Sequence, residues 1–204
     1  MVYKGYDFQA SEEGGTMLED EYIRMIDILE EYKPNSICEL GSGQSTKIFE
    51  KYCSKFNSKF YSIEHDYNWK YDSSVIFPLI DEETCIKIGE YEYDSCNKYD
   101  GFEGWLEKQD KFDLILIDGP YGCGFRLNYK YSRIQILSFV ILNKISDNAI
   151  VMYHDSEREN AKETLNEFEN LLRKNRFSFV KEKLNENKKR ELTIYKINKN
   201  GNSN

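Results

Sequence analysis

The eleven residues Ser36-Ile-Cys-Glu-Leu-Gly-Ser-Gly-Gln-Ser-Thr46 constrain this chain more than any other stretch. Ser36–Leu40 reads as a short buried strand, and Gly41-Ser42-Gly43 as a turn whose missing β-carbons let a ligand reach the backbone. Gln44–Tyr52 then reads as a helix, with Ile48, Phe49 and Tyr52 at helical spacing. Strand, glycine turn and helix in that order build a nucleotide-type ligand site at the carboxyl end of a parallel strand. The N–H groups of the first helical turn supply its donors. The turn is E-x-G-x-G, not the G-x-G-x-x-G of a dinucleotide fold. Glu39 would repel a phosphate, so a cationic ligand without phosphate suits this turn better.

With 204 residues, 40% of them hydrophobic, the chain is expected to form one domain around a substantial core. No apolar run approaches the ~18 residues of a membrane span. Met1-Val-Tyr-Lys-Gly-Tyr-Asp7 lacks a signal-peptide apolar stretch, which predicts a cytoplasmic protein. Cys38, Cys53, Cys85, Cys96 and Cys123 are odd in number and lack C-x-x-C spacing, as expected of reduced thiols and not of a disulfide frame or zinc site. A net charge of -8 argues against nucleic-acid binding, which needs a positive field.

Taken in order, residues 1–18 read as a polar, glycine-bearing arm or lid. Glu19–Lys33 is a helix with Tyr22, Met25, Ile26 and Leu29 on one stripe, stopped by Pro34. After the glycine-turn unit, Lys59–Asp66 is a second strand ending in acids. Tyr67–Leu79 is expected to be helical at first and loop-like towards Pro78, Thr84–Ile88 a brief third strand, and Gly89–Gly104 a polar stretch. Phe112–Asp118 is the clearest buried strand, Tyr129–Asn143 an apolar-faced helix and Ala149–Asp155 a fifth strand. Glu157–Lys174 is a charged amphipathic helix; Phe177–Lys183 and Glu191–Ile197 form a hairpin with no helix between them. The domain therefore spans 19–197, and 198–204 reads as a disordered tail. These elements predict a three-layer α/β/α sandwich, a Rossmann-like, mostly parallel seven-stranded sheet closed by an antiparallel hairpin. Helices 19–33 and 129–143 offer faces for a homodimer, though layers over the sheet explain them equally well.

The whole pattern resembles the class I S-adenosylmethionine-dependent methyltransferases. Glu39-Leu-Gly41-Ser-Gly43 is similar to that superfamily's first motif, and Glu64 to its ribose-binding acid. Asp113–Asp118 resembles the fourth-strand motif, and the closing hairpin its antiparallel seventh strand. The words Gly41–Thr46 and Ile63-Glu-His-Asp66 are similar to a group of small O-methyltransferases acting on sugars and other small molecules. The resemblance implies a cofactor site made by Glu39, Gly41, Ser42, Gly43, Ser45, Thr46, Glu64, His65 and Asp118. It places the adenine contact in the loop after the third strand, at Glu90 or Tyr91.

At the reacting end the candidates are Asp118, His154 and Asp155, at the ends of adjacent strands. Two readings stay open. His154, with an ordinary pKa of ~6.5, suits a general base for a hydroxyl acceptor. Alternatively, Asp118 and Asp155 hold magnesium or calcium, as acids at these strand ends do in metal-dependent O-methyltransferases; Ser156 stands where those enzymes have a further ligand. Tyr121, Arg126 and Arg158 are the candidate acceptor contacts, the arginines for a phosphate or carboxylate. The expected function is O-methylation of a small, carbohydrate or sugar-linked hydroxyl. Competing readings are a nicotinamide-dependent oxidoreductase and a non-catalytic scaffold of the same fold.

Overall fold

A computed structural model describes residues 1–10, 16–82, 86–93, 96–120, 130–186 and 190–199. A hairpin of β1 (Val2–Tyr3) and β2 (Tyr6–Asp7) precedes α1 (Glu19–Tyr32). The glycine-turn unit follows as β3 (Ser36–Leu40) and α2 (Gln44–Phe56), then β4 (Lys59–Glu64), a 3-10 turn (Tyr67–Trp69) and β5 (Ser74–Ile76). Short strands β6 (Leu79–Glu82), β7 (Ile86–Ile88), β8 (Tyr91–Tyr93) and β9 (Cys96–Tyr99) lead to α3 (Phe102–Leu106). The chain closes with β10 (Phe112–Ile117), α4 (Ile136–Ile141), β11 (Ile145–His154), α5 (Glu159–Lys174), β12 (Phe177–Leu184) and β13 (Leu192–Lys199).

Seven strands form the central sheet in the order β12-β13-β11-β10-β3-β4-β5. The five from β11 to β5 are parallel, and β13 and β12 are antiparallel, as the sequence predicts. Each face carries its own core, so the inner strands are apolar on both sides. One face packs α3, α4 and α5; the other packs α1, α2 and the β1–β2 hairpin. On α1, Tyr22, Met25, Ile26 and Leu29 are fully enclosed, each contributing roughly 1.5–3 kcal/mol by leaving water. Lys33 ends that helix in the left-handed conformation, one residue before Pro34. The amino-terminal hairpin also joins this core: Tyr6 and Phe8 are buried, and Phe8 stacks 5.1 Å from Tyr22. No helix of the described residues is long and apolar enough to cross a membrane.

Three expectations need correction. The third parallel strand is Ser74–Ile76, paired with β4, whereas Ile86–Ile88 pairs with Tyr91–Tyr93 in a separate hairpin. A three-residue edge strand is too short to show a period, while the apolar Ile-Lys-Ile word alternates well enough to draw the assignment. Of the helix expected over 129–143, the described residues are helical only at Ile136–Ile141, because Arg133 takes φ +50° and breaks the ladder ahead of it. Asn198 and Lys199 belong to β13, not to a disordered tail; residues 200–204 lie outside the described set.

Candidate active site

Strand parity decides what reaches the site. In β3, Cys38 and Leu40 face the α3–α5 core while Ile37 faces α1 and α2, so Glu39 points to the α1–α2 side as well. Likewise Leu114 and Leu116 of β10, and Ile150 and Met152 of β11, face α1. Asp118 and His154 continue those rows and emerge beneath α1 at the sheet's carboxyl rim.

The turn after β3 is held by backbone contacts. Gly41 N–H donates to Ile63 O at 2.8 Å, and Asp118 N–H to Leu40 O at 2.8 Å. Gly41 has φ +96°, and a β-carbon there would lie 2.7 Å from the Gly119 nitrogen. Only glycine fits, on both counts. Gly43 differs: a β-carbon there would meet nothing within 4 Å.

Glu39 lies under this turn and is fully buried. It accepts from Ser45 Oγ, from Thr46 Oγ1 at 2.6 Å and from Ser62 Oγ at 2.7 Å. Burial raises its pKa to about 8, against the pull of those three hydroxyls. Glu39, Ser45 and Thr46 therefore brace the turn from below and do not line the cleft, correcting their expected place at the ligand surface. The opening itself, about 600 Å³, is lined at this end by Gly41, Ser42, Glu64, His65, Trp69 and Tyr99.

Glu64 ends β4 facing that opening. Its Oε1 accepts from the N–H groups of His65 (2.7 Å) and Asp66 (3.0 Å), and its Oε2 from Ser42 N–H (2.8 Å). Burial works against the charge, but His65 and these amides hold the carboxyl below the usual range. Oε2, which takes only the Ser42 N–H, keeps acceptor room for a ligand hydroxyl, whereas Oε1 is filled by two amides and His65 Nδ1 at 2.8 Å. Beside it the buried Tyr99 hydroxyl lines the cleft with no hydrogen-bond partner among the described residues, while Gln135 clamps the Tyr99 backbone at 2.7 and 2.9 Å. Trp69, 47% exposed, completes this end. Glu90 and Tyr91 do not: they sit at the β7–β8 hairpin, where the Tyr91 hydroxyl meets Lys174 Nζ at 2.6 Å. Their expected adenine contact falls with the misplaced third strand.

The opposite end holds a chain of charges. His154 Nδ1 is 2.8 Å from Asp118 Oδ1, and its Nε2 is 3.4 Å from Glu21 Oε2 of α1. Glu21 is fully buried and also accepts Leu18 N–H at 2.7 Å. Arg133 Nη2 lies 3.3 Å from Asp118 Oδ1 and 3.1 Å from Asp155 Oδ2, and Arg158 Nη2 lies 2.7 Å from Asp155 Oδ2. His154 Nδ1 pairs with Asp118, while Nε2 makes no hydrogen bond among the described residues and only faces Glu21. Burial of His154 favours the neutral ring, yet Asp118, Glu21 and Asp155 outweigh that and raise its pKa to about 10. A ring held charged in this way would not serve as the general base expected of His154. Asp118 and Asp155 both line the cleft, and Asp118 is the more open, with 29% of its side chain exposed against 9%. The two acids named as metal ligands are bridged by Arg133. Arg158 lines the cleft, together with Thr16, Glu157 and Arg190. Tyr121 and Arg126 lie outside the described residues.

Glu21, Tyr99, Arg133 and Arg190 carry no sequence signal of their own, being single residues in unrelated segments. Trp69 had one: an aromatic five residues beyond the strand-end Glu64.

No family model matches this sequence, and no curated protein sequence matches it. Solved structures do match the fold. The O-methyltransferase of Bacillus cereus, in complex with S-adenosylhomocysteine, superposes with TM-score 0.56 at 10% identity over 93% of this chain and 84% of its own. TomG of Streptomyces achromogenes, an O-methyltransferase of tomaymycin synthesis solved with S-adenosylmethionine, gives 0.56 at 9% identity over 90% and 82%. The methyltransferase PaMTH1 of Podospora anserina, bound to S-adenosylhomocysteine, gives 0.53 at 12% over 86% and 77%. The chain has the fold of the class I S-adenosylmethionine-dependent methyltransferases.

Proposed function

We propose that the protein transfers a methyl group from S-adenosylmethionine to a hydroxyl oxygen of a small molecule, with a carbohydrate or sugar-linked acceptor as the favoured class. The observation that carries this reading is the Glu64 carboxylate, ionised and fixed by three backbone N–H groups beside the Gly41 turn. Such a group grips a ribose diol. The open space over Gly43 and the unpartnered Tyr99 hydroxyl fit a ligand seated there. Gly41, Ser42, Gly43, Glu64 and His65 would hold it; Glu39, Ser45 and Thr46 would act through the turn they brace.

The bound cofactor supplies an activated methyl on a sulfonium, and the reaction is an in-line displacement at carbon. The chain's part is then to position the nucleophile. Asp118, held by His154 and Arg133, would accept the hydrogen bond of the acceptor's hydroxyl and take its proton as the oxygen–carbon bond forms and the carbon–sulfur bond breaks, releasing S-adenosylhomocysteine. Thr16, Glu157, Arg158 and Arg190 at the reacting end suit an acceptor that presents several hydroxyls, as a sugar does.

Calorimetry with S-adenosylmethionine and with NADH is the direct test. Binding of the first alone is the expected result; binding of NADH alone would return the oxidoreductase reading. Mass spectrometry of an acceptor panel then looks for gain of one methyl group. Cofactor binding with no methylated product across sugars, phenols and carboxylates would leave the scaffold reading in its place.

A further inference from the structure

Asp118, His154 and Asp155 bring three metal-type donor atoms within 4.8 Å of one another. Two carboxylate oxygens and an imidazole nitrogen are an ordinary donor set for a divalent cation. Here one oxygen of each acid is already engaged by a cation. Both acids face Arg133 Nη2, at 3.3 and 3.1 Å, and Asp155 also faces Arg158. His154 Nδ1, the ring nitrogen beside both acids, already pairs with Asp118 at 2.8 Å.

The geometry points to Arg133 as a built-in cation, standing between Asp118 and Asp155 where a divalent ion would otherwise be held. The cleft's reacting end is accordingly metal-free, and Arg133 is a positioning residue for Asp118, a role that rests on the methyltransferase reading.

Three observations support this. Arg133 cannot swing aside: it is 5% exposed, its Nε donates to Pro120 O at 3.3 Å, and its Nη1 donates to His154 O. Its backbone is held at φ +50°, an uncommon conformation for any residue with a β-carbon, and one that the surrounding contacts must enforce. Finally, the charges alternate and balance. Arg133 and Arg158 face Asp118 and Asp155, two cations against two acids, so an added dication would have to displace cations already in place. The planar fork of arginine is suited to bridging two carboxylates, which the point charge of lysine does less well.

The test is titration of the full-length protein with Mn²⁺, followed by electron paramagnetic resonance of the free ion, with S-adenosylhomocysteine calorimetry on the same samples. Unaltered protein is expected to show no saturable site up to about 1 mM Mn²⁺. Arg133→Gln, which removes the charge, is expected to gain one site at least ~10-fold tighter than any in the parent, abolished again by adding Asp118→Asn. Arg133→Lys keeps the charge and is expected to stay blind to Mn²⁺, which separates a cation's role from that of a structural tie. A saturable Mn²⁺ site in the unaltered protein that Asp118→Asn removes would overturn the assignment. So would a folded Arg133→Gln that binds no more Mn²⁺ than its parent. Should Arg133→Gln fail to fold, the unaltered protein decides alone. Loss of S-adenosylhomocysteine binding in the unaltered protein would remove the methyltransferase reading while leaving the Mn²⁺ result intact.

Discussion

At the Glu64 end of the cleft, the ligand-facing groups come largely from two continuous stretches, 41–43 and 64–69, and backbone amides fix the key carboxylate. At the His154 end, four separate segments contribute the charged side chains: Glu21, Asp118 and Arg133 singly, and His154, Asp155 and Arg158 from one run. The first end depends on main-chain geometry, and the second on charge balance in a buried place. A backbone-built site is broken by whatever shifts the main chain, whereas removing one charge from a buried ladder leaves its neighbour uncompensated.

The sharpest break is Gly41→Ala. Its β-carbon would strike the Gly119 backbone at 2.7 Å in a left-handed conformation, so about 3 kcal/mol or more of stability should be lost, with cofactor binding. Unchanged melting would refute the close approach of the two turns on which that end of the cleft depends. Glu64→Ala should weaken S-adenosylmethionine roughly 100-fold by calorimetry, because it strips acceptors from the ligand and from three amides. Undiminished affinity would unseat Glu64 as the ribose acid.

The charge ladder should speak through pH. The folded pKa of His154, about 10, lies above its ordinary 6.5, so its contribution is complete below 6.5 and disappears as pH rises to about 10. Stability should fall over that window by a few kcal/mol, and His154→Gln should flatten the curve, both read by urea melts at stepped pH. A parent curve no steeper than that of His154→Gln would mean the ring is not held as a cation. The smallest effect is expected of Gly43→Ala, whose β-carbon enters open space: stability within about 0.5 kcal/mol of the parent, but weaker cofactor binding. A large loss of stability there would contradict the open cradle.

The same contrast explains what could be read in advance. The Glu-Leu-Gly-Ser-Gly turn and the strand-end Glu64 were legible because each is a local word whose meaning comes from its immediate neighbours. Glu39 was legible as important but not in direction, since strand parity turns it under the turn. The Glu90–Tyr91 expectation failed through a three-residue edge strand that carries no period. His154 was legible as a rim residue, but its protonation depends on Glu21, far earlier in the chain, and on Arg133 and Asp118 around it.

By itself, then, the sequence determined the layered α/β architecture, the parallel order with its antiparallel close, and the turn where a ligand meets backbone. All three follow from hydrophobic period and glycine placement, which are local properties. Only the tertiary structure decided which strand is third, which acid faces the cleft, and that an arginine stands between Asp118 and Asp155. Those outcomes depend on distances between residues far apart in the chain, and electrostatics inside a fold is set by distance and burial.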